Sequence, residues 1–286
     1  MKVKILVGYH KKSLLIKNEI FVPIHLGRDL YEAKKANQDK AWLYENLIGD
    51  NTGENISSKN SDYCELTGIY WAWKNYSKLN NPDFIGFMHY RRLLSFNGWS
   101  MPKHRNNPII VNVKAYLKKN NKFNIYQTLS SGKIFTRLPL DFFETEGRES
   151  CRARGFDYLK IKYPQIYQIY LKQKQNNCLY ASNIFVMQRE DFFEYCEIIF
   201  DVLFNYDSQG YSREKGYLAE FITSAYIEYL AQKYGKVSLL PIVTPHENPT
   251  LRLLQLSIYK VLIFLSFGKF KQNLKKKRET LKRIFN

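Results

Sequence analysis

Two rhythms of hydrophobic and polar positions alternate along the chain. Residues 2–9, KVKILVGY, are a short β-branched apolar run that reads as a buried first strand, and a polar turn, His10-Lys11-Lys12, follows it. Residues 29–49 place Leu, Tyr and Ala among charges at helical spacing. Residues 50–62, DNTGENISSKNSD, are dense in Asp, Asn, Gly and Ser and read as a loop. From Tyr63 to Tyr76 the apolar residues Leu66, Ile69, Tyr70 and Trp73 recur at three and four, which predicts a helix. Asp62 or Ser61 would be its N-cap, with Glu65 placed as in a capping box. A turn at Asn81-Pro82-Asp83 leads into a second buried strand at 84–88, FIGFM.

Residues 108–113, PIIVNV, suggest a further strand, as do 179–187, LYASNIFVM, and 237–243. Helical patterns cover 157–175, 189–206 and 213–234. Strands alternating with helices imply an α/β fold built on a mainly parallel sheet. Trp71 and Trp73 fall on the core side of their helix, and Cys64 and Cys196 sit in helical patterns as small hydrophobes.

Composition narrows the class. Of 286 residues 45% are hydrophobic and 16% aromatic, enough for a large core, so a disordered chain is excluded. The four cysteines (Cys64, Cys151, Cys178, Cys196) show no CxxC pairing, against both a disulfide scaffold and a zinc ribbon. The first residues lack a signal-peptide pattern and no run of about 20 uncharged apolar residues occurs, so the expectation is a cytoplasmic protein.

Charge changes the picture most. The net charge is +18, and residues 250–286 carry +9 of it. A basic excess of this kind points to an anionic partner. Residues 251–267, LRLLQLSIYKVLIFLSF, would gather Arg252, Gln255, Lys260 and Ser266 on one arc of a helix and leave the rest apolar except Ser257. Seventeen residues span about 26 Å, short of a bilayer core of about 30 Å. A helix lying in the interface, followed by a Lys/Arg-rich stretch against anionic headgroups, fits this pattern. The competing reading is a helix packed on the core with a solvated basic end. No nucleic-acid motif accompanies the patch. The expected organisation is a catalytic domain at 1–249 and a basic amphipathic membrane-associating tail at 250–286.

The strongest chemical signal is the end of the strand at 84–88. Ligands of open α/β sheets bind beyond the carboxyl ends of strands, and His89, Tyr90, Arg91 and Arg92 stand there in sequence. Arginine binds phosphate through a bidentate fork, so this is a candidate diphosphate site; a structural salt-bridge cluster is the alternative. The loop from Asp50 to Asn60, ahead of a helix, offers free backbone N–H groups suited to an anion or ribose, although ordinary caps look the same. GxxxxGK[ST], GxGxxG, HExxH and GxSxG patterns do not occur.

The string DNTGENISSKNSDYCELTGIYWAWKN, followed by FIGFMHYRR, resembles a family of bacterial glycosyltransferases of capsule, exopolysaccharide and O-antigen clusters, long catalogued as a domain of unknown function. NIFVMQREDFFEYCEIIFDVL and SREKGYLAEF are similar to its downstream blocks, with Phe221 where the family commonly carries Arg. The resemblance covers roughly residues 3–245. It implies a GT-A-like (Rossmann-like) domain that moves a sugar, with galactose or galactofuranose favoured, from a nucleotide-diphosphate donor, with a UDP-sugar favoured. The acceptor it implies is a polyprenyl-diphosphate-linked oligosaccharide at the inner face of the membrane.

In GT-A enzymes an Asp-x-Asp after a central strand usually holds a metal against the diphosphate. Here that place is taken by His89-Tyr90-Arg91-Arg92, so Arg91 or Arg92 is expected to contact the diphosphate with no metal required. His89 as a metal ligand is the counter-reading. Nucleotide contacts are expected from Gly8, Tyr9, His10 and Lys11, from Tyr90, and from Asn55, Ser57 and Asn60. The candidate general bases are Glu220 first and Glu65 second, either of which could instead be a structural carboxylate holding an arginine. A non-catalytic membrane-surface binding protein and another phosphate-binding transferase are the alternatives in function.

Overall fold

The computed structural model describes residues 1–32, 39–97, 109–140, 149–206 and 213–265. The strands, in chain order, are β1 Val3–Tyr9, β2 Phe21–His25, β3 Ile48–Gly49, β4 Phe84–His89, β5 Leu93–Leu94, β6 Ile109–Asn112, β7 Ile134–Arg137, β8 Phe185–Gln188, β9 Ser238–Leu240 and β10 Ile242–His246. Seven of them form one sheet in the order β3-β2-β1-β4-β8-β7-β9. All its pairings are parallel except those of β8, which runs antiparallel to β4 and β7. A small second sheet, β5-β10-β6, continues from the turn after β4.

The central strand shows why the sheet is covered on both faces. Every residue of β4 from Phe84 to Met88 is buried. Ile85 and Phe87 point into a core shared with the helices Leu66–Lys74, Arg189–Phe204 and Glu214–Tyr234. Phe84 and Met88 point into a second core, where they join Ile5 and Val7 of β1. That core is closed by β5, β10 and the helices Val113–Lys119 and Lys122–Leu129. A strand with two apolar faces has no alternation to show, which is why it reads as a continuous hydrophobic run. Gly86 is required there: a Cβ would lie 2.6 Å from Val186 Cγ2 and 2.7 Å from the Phe185 carbonyl oxygen.

Several predicted elements are altered by the tertiary context. The helix expected from Tyr63 breaks at Cys64, whose φ is 51°, into Asn60–Tyr63 and Leu66–Lys74. The capping box is therefore not formed. Glu65 itself stands at the N-cap position without capping, and its carboxylate serves elsewhere. The strand expected at 179–187 begins only at Phe185, because Ser182 and Asn183 take positive φ of 75° and 46°. The run 237–243 is two strands in different sheets, parted at Pro241, which has no N–H to give a ladder. The 157–175 pattern is likewise two helices, Glu149–Lys162 and Pro164–Gln175, the second opening on proline. Trp71 is buried and donates its indole N–H to the Thr52 carbonyl at 2.7 Å, and Trp73 stacks on Phe200, so both belong to the core side.

The terminal helix spans Pro249–Leu265. Leu251, Leu253 and Leu254 are about half exposed, while Arg252 and Gln255 are more covered. No helix among the described residues is long and apolar enough to cross a membrane. The Lys/Arg-rich stretch 268–286 lies outside the described residues.

Candidate functional site

Strand register assembles the first half of the site. Gly8 of β1 pairs with His89 of β4, and Phe87 pairs with Phe185 of β8, which in turn faces Thr136 of β7. The ends of β1, β4 and β7 and the approach to β8 therefore share one edge of the sheet. That edge carries His10, the turn Tyr90-Arg91-Arg92, Ser182-Asn183 and Arg137.

The turn after β4 is tight. Arg92 N–H donates to the His89 carbonyl at 2.9 Å, and the chain then enters β5. This reversal exposes Arg91 and Arg92 while Tyr90 is driven inward. The Tyr90 ring stacks on Tyr9 with centroids 5.1 Å apart, takes the edge of His10 at 5.5 Å, and lies under the Arg91 guanidinium at 5.1 Å. The Tyr90 hydroxyl is buried without a hydrogen-bond partner among the described residues. His10 reaches solvent, yet the crowding of its ring by protein, with Arg91, Lys11 and Arg213 nearby, pushes its imidazole down to about 4. These surroundings favour the neutral form of the His10 ring over the cation.

The second half of the site comes from long-range contacts. His89 Nε2 lies 2.8 Å from the Ser182 carbonyl oxygen and 3.7 Å from Glu65 Oε1. Asn183 donates its amide to the same Glu65 oxygen at 2.8 Å and accepts from Thr223 at 2.7 Å. Arg92 donates to Ser182 Oγ at 3.1 Å. The positive φ values of Ser182 and Asn183 turn that segment toward both His89 and Glu65, a conformation that Asn tolerates better than most residues.

Glu220, on the helix Glu214–Tyr234, completes the group. Burial first and the Glu65 carboxylate second push it up to about 7, against the pull of the Ser182 N–H, Arg92 and Arg137. Arg137, at the end of β7, is pushed down to about 10 by burial and by Arg92, with Glu220 opposing. Two carboxyl groups, an imidazole and two guanidiniums thus act on one another at the carboxyl edge. Perturbed acids of this kind cluster at functional sites.

The remaining expected residues have other surroundings. Gly8 is buried within β1 and its carbonyl accepts from Tyr90 N–H, whereas Lys11 is exposed on the turn beyond. Ser57 donates to Asp50 at 2.5 Å and accepts from Asp29 N–H. Asn60 donates to the Cys64 carbonyl and to Thr67. Asn55 closes its own loop on Gly53 and Ser57. These bonds brace the loop around the buried Asp50 and do not join it to the basic turn.

Sequence reasoning missed Ser182, Asn183 and Arg137. The Ser-Asn pair was a usable turn signal hidden in an apolar run. Arg137 has no local signal at all, since only pairing with β8 brings it to the edge. Among the described residues no group of three His, Cys, Asp or Glu side chains is placed to hold a metal ion.

A model of the family described as "Domain of unknown function (DUF4422)" matches residues 4–233, and the chain belongs to that family. Among solved structures it is similar to the "WbbM bifunctional glycosytransferase apo structure", with a TM-score of 0.73 and 27% identity. The match covers 86% of this chain and 45% of that one, so the present chain corresponds to less than half of that protein. The mixed, mostly parallel sheet flanked by helices is therefore a GT-A-like architecture shared with part of a glycosyltransferase. No curated protein sequence matches.

Proposed function

We propose that this protein is a nucleotide-sugar-dependent glycosyltransferase. The observation that carries the reading is the carboxyl-edge cluster of Arg92 and Arg137 around Glu220, Glu65 and His89, on a fold shared with part of a bifunctional glycosyltransferase. Transfer breaks the bond from the sugar's anomeric carbon to the diphosphate and forms one to an acceptor hydroxyl. The leaving diphosphate gains negative charge, which Arg92 and Arg91 are placed to stabilise without reorganising. The end of β1 (Gly8, Tyr9, His10, Lys11) with Tyr90 forms the nucleotide side of the cleft. In an inverting displacement the acceptor proton passes to Glu220. UDP-galactose or UDP-galactofuranose is the favoured donor and a polyprenyl-diphosphate-linked glycan the favoured acceptor.

The test is release of nucleoside diphosphate from a panel of nucleotide sugars in the presence of a lipid-linked acceptor, with and without EDTA. One donor is expected to turn over, and activity is expected to survive EDTA because guanidinium groups occupy the place of a metal. Loss with EDTA that Mn²⁺ or Mg²⁺ restores would overturn the metal-free reading and point to His89 or a distant carboxylate as ligand. Failure of every sugar donor would overturn the reading.

Glu220 sets a pH dependence. Its environment comprises Glu65 and Cys64 from the helix-break segment, Arg92 from the β4 turn, Arg137 from β7 and the Ser182 N–H. As a base it must be ionised, so kcat/KM is expected to rise with pH through about 7, and Glu220→Gln to lower the rate by about 10²–10⁴ and erase that limb. The stability effect has the opposite sign. The fold favours the protonated acid, so Glu220 destabilises progressively as pH climbs from 4.5 to about 7, and the Gln variant should gain relative stability over that window. A pH profile unchanged in the variant would remove Glu220 from the base role.

The half-exposed Leu251, Leu253 and Leu254, followed in sequence by the +7 of residues 268–286, favour attachment to the cytoplasmic face of an anionic membrane. Apolar insertion and about 1 kcal/mol per basic residue act together. Full-length protein is expected to co-sediment with anionic liposomes and to be released by salt, while a variant lacking 251–286 stays folded in the supernatant. Equal sedimentation of the two forms, or unfolding of the shorter one, would make the helix part of the core instead.

A further inference from the structure

We infer that Arg137 and Arg92 together form the anion-binding site of the cleft, taking the diphosphate of the donor, with Arg137 as its buried anchor. This deepens the glycosyltransferase reading and rests on it for the identity of the ligand. Arg137 terminates β7, where its register neighbour is Leu240 of β9 and its predecessor Thr136 is fully buried and tied to the Ile184 carbonyl. The backbone position is thus held from both sides of the strand. The Arg137 side chain is itself buried, at 8% exposure. Its one hydrogen bond among the described residues runs from Nε to the Leu138 carbonyl at 3.2 Å. The two terminal nitrogens of the fork make none there, and no carboxylate forms an ion pair with it among those residues.

The guanidinium is largely buried, yet its terminal nitrogens, which make no hydrogen bond among the described residues, keep contact with solvent, so a partly desolvated charge stands open to an anion. Its nearest charged neighbours are Arg92, which repels it, and Glu220, which attracts it. Glu220 brings at most one negative charge against the two arginines, so the group stays net positive. Arg92, in the turn after β4, is steadied by its bond to Ser182. Two cations held at the ends of β4 and β7, across the intervening β8, suit a doubly charged bridging group better than a single carboxylate. A diphosphate is such a group, and Arg137 is rigid where Arg91 and Arg92 are exposed.

The probes are UDP, uridine and inorganic diphosphate, titrated calorimetrically into wild type, Arg137→Lys, Arg137→Ala and Arg92→Ala. Wild type is expected to bind UDP and inorganic diphosphate and to prefer UDP over uridine. Arg137→Ala is expected to lose about tenfold or more in affinity for both phosphates and none for uridine. Arg137→Lys, which keeps the charge but not the fork, should fall between and serves if the alanine variant does not fold. In turnover the same variants should raise KM for the donor and lower kcat. Unchanged diphosphate affinity in Arg137→Lys and Arg137→Ala, in a protein that transfers sugar, would overturn this assignment and leave the function standing. Diphosphate binding that needs Arg137 in a protein that turns over no nucleotide sugar would do the reverse.

Discussion

Arg92→Ala is expected to lower turnover by about 10²–10³ while the melting temperature changes by only a few degrees. The rate effect follows from position. Arg92 stands just past the end of the central strand β4, held toward the cleft by Ser182, where the charge of a leaving diphosphate would develop. One preorganised charge lost there costs about 3–4 kcal/mol of transition-state stabilisation. The stability effect is small because Arg92 is exposed and makes a single side-chain hydrogen bond among the described residues, worth about 1 kcal/mol. Arg91 lies over Tyr90 and provides the comparison. If Arg91→Ala is the damaging change and Arg92→Ala is not, the diphosphate contact belongs to Arg91. If both variants turn over like wild type, the basic turn has no part in transfer. Rates should be measured at saturating donor beside a thermal melt of each variant.

Asp50→Ala is expected to act in the opposite way, on the fold first. Asp50 is fully buried and accepts from Gly27 N–H at 2.7 Å, Arg28 N–H at 3.0 Å, Ser57 Oγ at 2.5 Å and Thr67 Oγ1 at 2.6 Å. Four donors from three segments converge on two oxygens, and alanine would strand Gly27 N–H, Arg28 N–H and Ser57 Oγ, while Thr67 Oγ1 keeps the Cys64 carbonyl at 3.2 Å. The expected loss is about 3–5 kcal/mol, or roughly 10 °C or more in melting temperature for a domain of this size. Asp50→Asn should recover little, because its NH₂ group brings two donors where only acceptors are wanted. A loss below about 1 kcal/mol in urea unfolding would mean that the loop closes without the carboxylate. Gly27 belongs to the same device: its φ of 67° bends the chain so that its N–H meets Asp50.

The two expected results divide motifs that look alike in sequence. DNTGENIS and HYRR are both polar segments beside buried elements, and both suggested ligand binding. The structure joins Ser57 to Asp50 and Asn60 to Thr67, whereas it leaves the guanidiniums of Arg91 and Arg92 toward solvent. Hydrogen bonds within the loop brace the first. The second makes no ion pair among the described residues, which is what the proposed diphosphate contact requires.

What the chain's own pattern determined is the set of elements with strong local rhythm. β1 and β4 are apolar on two faces, and the helices Arg189–Phe204 and Glu214–Tyr234 repeat at three and four, so burial could be read without knowing the partner. The α/β class followed from their alternation, and the basic turn from its place after β4. Tertiary structure decided the break at Cys64, packed against Gly216, and fixed where the local signals of Ser182-Asn183 and Pro241 took effect, through Glu65 against Asn183 and two separate sheets on either side of Pro241. It also decided which charges meet. Glu65, Arg137 and Glu220 lie far apart in the chain: the two carboxylates were candidate bases, Arg137 carried no local signal, and nothing local shows that the three meet. They come together because strand register brings β4, β8 and β7 side by side and packing lays Glu65, from the helix break, and Glu220, from its helix, over their ends, where low solvent access makes each charge felt by the others.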